Sequence, residues 1–147
     1  MKHSLIAALT LTLGCALAAP ALAEAEAGKP LALRGIMQDL GRHMQTTTLA
    51  IAREDWTLVE KTAPLIAEHA QPPVLEKTRI MAFISTGMGR FKGHDQKTHA
   101  AAKAMAQAAA NRDGLTVIAA FQDIQLGCLG CHQEFRKPFV EHFYGAR

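Results

Sequence analysis

Aromatic residues are scarce in this chain: Phe, Trp and Tyr together make up 5% of it, with one Trp and one Tyr. Strands draw on aromatic and β-branched side chains, so this scarcity, beside alanine runs at residues 100–102 and 108–110, excludes an all-β fold and points to helices. Charge of one sign is lacking as well. A formal net charge of +3 is too small to argue for a nucleic-acid partner. Only 6 Pro and 11 Gly occur in 147 residues that are 49% apolar, a composition that argues against disorder and allows one domain. The long apolar run is confined to the N-terminus, so no membrane span is expected in the working domain.

That run looks like an address. Lys2 and His3 precede an apolar stretch over residues 5–17, which closes on Ala21-Leu22-Ala23, the small-x-small pattern cut by signal peptidases. Cleavage after Ala23 would remove residues 1–23 as a signal peptide and leave 24–147 as an exported, periplasmic domain. Cys15 lies inside the leader, and Thr12 stands where a lipoprotein signal would carry Leu.

Two cysteines remain, Cys128 and Cys131, three residues apart and followed at once by His132. A redox dithiol would sit beside a βαβ pattern, which the sequence lacks, and a zinc site would need a second Cys/His cluster. Cys128-Leu129-Gly130-Cys131-His132 is the C-x-x-C-H attachment string of a c-type haem. On a helix, residues three apart share a face, so two sulfurs can reach two vinyl groups on one porphyrin edge while the next imidazole turns under the iron.

Periodicity predicts four amphipathic helices. Residues 30–53 carry Leu33, Met37, Leu40, Met44, Thr47 and Ile51 in steps of four and three. A second helix is expected over 56–70, capped by Asp55, facing inward with Val59, Ala63, Ile66 and Ala70, and kinked or broken at Pro64. Residues 74–93 read as mixed, because Gly87, Gly89 and Gly93 suggest a crossing connection. A third helix is expected over about 95–111, with Thr98, Ala102, Met105 and Ala109 on one side. Asp113-Gly114 should form a turn, and a fourth helix should start near Leu115, its stripe running through Val117, Phe121, Ile124, Cys128, Cys131 and Phe135. These features predict an all-α, antiparallel up-down-up-down four-helix bundle with covalent haem c near the C-terminus, between the first and fourth helices.

Two segments, residues 128–136 (C-L-G-C-H-Q-E-F-R) and 34–44 (R-G-I-M-Q-D-L-G-R-H-M), resemble the cytochrome c′ and cytochrome c-556 family. The resemblance implies one covalently attached haem c per chain, with Cys128 and Cys131 as thioether anchors, His132 as proximal ligand, Arg136 as a haem-pocket contact and Met37 as distal ligand. Ligation by Met37, as in the c-556 branch, implies electron exchange with periplasmic redox proteins. A distal residue that only blocks the iron, as in the c′ branch, implies binding of NO or CO. Such bundles commonly pair as homodimers through their first two helices. No enzymatic activity is expected, because Arg42 and His43 face away from the Met37 stripe. His43, His69, His94, His99 and His142 are expected at the surface.

Overall fold

The computed structural model describes residues 30–145, so the leader lies outside the described residues. Within them the chain is all-helical. α1 spans Ala32–Ala52, α2 Trp56–Ala67, α3 Val74–Ile84, α4 Met88–Ala110 and α5 Gly114–Cys131; a π turn, His132–Arg136, then leads into α6, Lys137–Tyr144. Four long helical segments carry the packing, consistent with a four-helix bundle.

The N-cap of α1, Leu31, makes no side-chain capping hydrogen bond, yet the first amides of the helix are not orphaned. The Glu76 carboxylate on α3 accepts the N–H groups of Ala32 at 2.7 Å and Leu33 at 2.8 Å, placing an anion at the positive end of the helix. The Leu31 N–H donates to the Tyr144 hydroxyl at 3.2 Å. Thus α3 and α6 fasten the start of the helix that carries Met37. α1 then packs along α2 and meets α5 only at its margin.

α2 begins where expected, with the Asp55 carboxylate accepting from the Leu58 N–H at 3.0 Å. Pro64 does not break it. That residue stands in the last turn, the helix ends at Ala67, and Ala70 is consequently exposed rather than inward-facing. The larger departure lies in residues 74–93, where α3 and α4 are separated only by a 3₁₀ turn, Ser85–Gly87. The chain bends at Ser85, which adopts φ 49°, while Gly89 and Gly93 lie within α4. Gly87 serves packing instead: a Cβ there would meet the Phe135 ring at 3.0 Å.

The core is built from small residues. Ala50, Ala63, Ala67, Ala102 and Ala109 are all but sealed from solvent and let the helices approach closely around Val59, Ile66, Met105, Val117 and Ile124. On α1, Thr47 of the expected stripe is buried and Leu40, Met44 and Ile51 pack against the core, joined by buried Ile36 and Ala50, whereas Met37 is 41% exposed. Buried Thr47 and Thr62 donate their hydroxyls to the carbonyls of His43 and Leu58, so neither is left unsatisfied.

α5, the π turn and α6 form one continuous helical run of 31 residues, long and apolar enough by composition to cross a membrane, although the sequence suggested such a run only at the N-terminus. Val117, Ala120 and Ile124 place part of that apolar surface in the core, while Ile118, Leu126 and Leu129 stay exposed.

Candidate functional site

The site begins at the start of α5. The Asp113 carboxylate accepts from the Thr116 N–H at 3.1 Å and so caps the helix; the same Thr116 contacts hold its pKa below the usual carboxylate value. From there the helix runs without interruption to Cys131, so Cys128 and Cys131 stand one turn apart, both half-buried and both free. Two glycines let α4 approach beneath them. A Cβ on Gly127 would collide with the Thr98 hydroxyl, and one on Gly130 would lie 2.7 Å from the His94 ring.

This close approach sets the chemistry of the thiols. Burial pushes Cys128 above its ordinary pKa, opposed by a hydrogen bond with Thr98. Cys131 is pushed up to about 11, first by burial and then by the negative fields of Cys128, Asp95 and Glu134. Both are therefore neutral thiols near pH 7, whereas a redox dithiol or a thiolate metal site needs a lowered pKa. Neutral thiols one helical turn apart suit thioether formation with a porphyrin.

His132 follows directly. Desolvation of its packed side, then the nearby charge of Arg136, lowers its pKa, which leaves a neutral imidazole with a free lone pair. The backbone widens into π geometry over His132–Arg136. Pro138 explains the widening: it offers no N–H to the Glu134 carbonyl four residues back, and its ring crowds that oxygen. The turn is anchored to α4 by ion pairing of Glu134 with Arg90, by His94 Nε2 at 3.5 Å from Glu134, and by an edge-to-face contact of Phe135 with Phe91. The donor set of Cys128, Cys131 and His132 fits a c-type haem, with Arg136 beside the imidazole.

Met37 stands on α1, partly open to solvent. Met105 is fully buried, and Met44 packs against the core. The thioether of Met37 is therefore not consumed by core packing.

Of the remaining histidines, His142 is exposed, as the sequence suggested, whereas His43, His69, His94 and His99 are partly buried. His142 stacks on Phe83 with ring centroids 4.5 Å apart, and His94 lies under Gly130. His69 and His99 meet, and His43 lines a cleft of about 280 Å³ between α1 and α2 whose wall includes Leu65 and His69. Asp95 and His99, four apart on α4, were the one readable sign of that histidine pair.

Among known proteins, no curated protein and no solved structure matches the chain. The family described as cytochrome c′ does match, over residues 32–136, a span that runs from the first residue of α1 through both thiols and His132 to Arg136. The chain belongs to the cytochrome c′ family.

Proposed function

We propose that this protein is an exported, periplasmic electron carrier with one covalently attached haem c. Haem supplies a one-electron ferric/ferrous couple when bound. Cys128 and Cys131 would hold it by thioethers, His132 would ligate one face, and Met37 would ligate the other. The bundle would run up-down-up-down, with the haem between α1 and α5. Arg136 would tune the proximal imidazole by its charge, as its effect on the His132 pKa suggests.

One observation carries the choice of electron transfer over gas binding. Met37 is left out of the core, while Met44 on the same helix packs against it and Met105 on α4 is buried inside it. A thioether ligand stabilises ferrous iron and keeps the coordination unchanged through the cycle, which suits electron exchange across small, weak interfaces with redox proteins.

The visible spectrum tests this reading. The ferrous protein should show sharp, split α and β bands, and Met37→Ala should lose them and open the iron to CO. A broad high-spin ferrous spectrum, with CO bound by the unaltered protein, would replace the proposal with a five-coordinate NO- or CO-binding protein.

A further inference from the structure

Near the attachment site, where the field of Asp95 reaches Cys131, three side chains from distant parts of the chain converge. His69, in the connection after α2, brings Nε2 to 3.0 Å from the Nε2 of His99 on α4. Asp95, one turn before His99, places a carboxylate oxygen 3.4 Å from each of those nitrogens. The three donor atoms thus form a nearly equilateral triangle.

The size of the triangle has a chemical meaning. A tetrahedral ion bonded at about 2.0 Å to nitrogen and oxygen separates its ligands by about 3.3 Å, so these atoms outline one face of such a coordination shell. His69 is also oriented for the task. Its Nδ1 lies 2.9 Å from the Ala70 carbonyl, which can only accept, so Nδ1 carries the proton and Nε2 presents its lone pair to the triangle. The His69 side chain is 12% exposed and borders the cleft between α1 and α2, through which water can reach a fourth position.

We propose that His69, Asp95 and His99 form a binding site for a divalent transition cation, Zn²⁺ above all, with solvent as the fourth ligand. Imidazole nitrogen and carboxylate oxygen are the donors that zinc accepts, whereas calcium and magnesium call for six or more oxygens. A bound ion would clasp the connection between α2 and α3 to the middle of α4. The site uses none of the residues assigned to haem and does not depend on which axial ligand the iron carries.

The test is calorimetric titration of Zn²⁺ into the haem-loaded protein after removal of bound metals by a chelator. One Zn²⁺ per chain is expected, with binding weakened about tenfold or more in His69→Gln, in His99→Gln and in the more exposed Asp95→Asn. His142→Gln should bind as the unaltered protein does. Circular dichroism and the melting temperature establish that each variant is folded. Absence of Zn²⁺ binding in the unaltered protein, or unchanged affinity in any folded variant of the three, overturns the proposal.

Discussion

Gly130 faces the His94 ring so closely that a Cβ on the glycine would stand 2.7 Å from Cε1. The residue between the two thiols is therefore the point where α5 rests on α4, and the position of the attachment site depends on the absence of a side chain. Gly127, one turn earlier, does the same against Thr98. Replacing Gly127 by Leu should cost about 1–3 kcal/mol through overpacking. Gly127→Ala should be milder, because the gain in helix propensity, about 1 kcal/mol, offsets displacement of the Thr98 hydroxyl. Denaturant melts of the haem-loaded variants check this, and a Gly127→Leu protein as stable as the parent would contradict the packing described.

Methionines on the two sides of the core boundary should behave in opposite ways. Met105 is fully buried, so Met105→Ala should lose about 2–5 kcal/mol of stability while leaving the visible spectrum unchanged. Met37→Ala should disturb packing less and change the spectrum. Parallel unfolding and absorbance measurements separate the two, and equal spectral effects would deny Met37 its proposed place.

Cys131→Ser should release haem from covalent linkage at that position, and the double change with Cys128→Ser should abolish attachment. Mass spectrometry of the exported chain reads the result directly. A mature protein of unmodified peptide mass in the unaltered form would remove the basis for assigning a haem.

The metal-free His69–Asp95 pair should impose a pH dependence on stability. Its bond to Asp95 raises the His69 pKa, and the same bond lowers that of Asp95. For His69 the stabilisation is complete below the ordinary histidine value of 6.5 and fades as pH climbs through the higher folded-state value. For Asp95 it is complete above 3.8 and fades as pH falls through the lower folded-state value. The stability difference between the parent and His69→Gln, measured with chelator present, should thus be greatest between about pH 4 and 6.5 and shrink at higher pH. A difference that grows above pH 7 would be inconsistent with the pair.

Tyr144 and Glu76 hold the start of α1 from helices more than 40 residues away. Tyr144→Phe and Glu76→Gln should therefore raise hydrogen exchange in the first turn of α1 and leave the amides of α4 unaffected. Exchange measured by mass spectrometry tests this, and uniform protection in both variants would remove the tie.

The sequence by itself determined the local features. Helical class, the Asp55 cap, the inward residues Val59, Met105, Val117 and Ile124, and the Cys128-Cys131-His132 string are all set by neighbours within a turn or two, which periodicity and capping chemistry report. What it could not determine lies between distant residues. Ser85 rather than the nearby glycines takes the bend, Ile36 rather than Met37 is buried on α1, and α4 starts at Met88, because partners such as Phe135 and α2 settle those outcomes in three dimensions. The meeting of His69 with Asp95 and His99 belongs to the same class: it exists only once the α2–α3 connection is laid against α4, and no spacing along the chain encodes a distance of 3.0 Å between rings 30 residues apart.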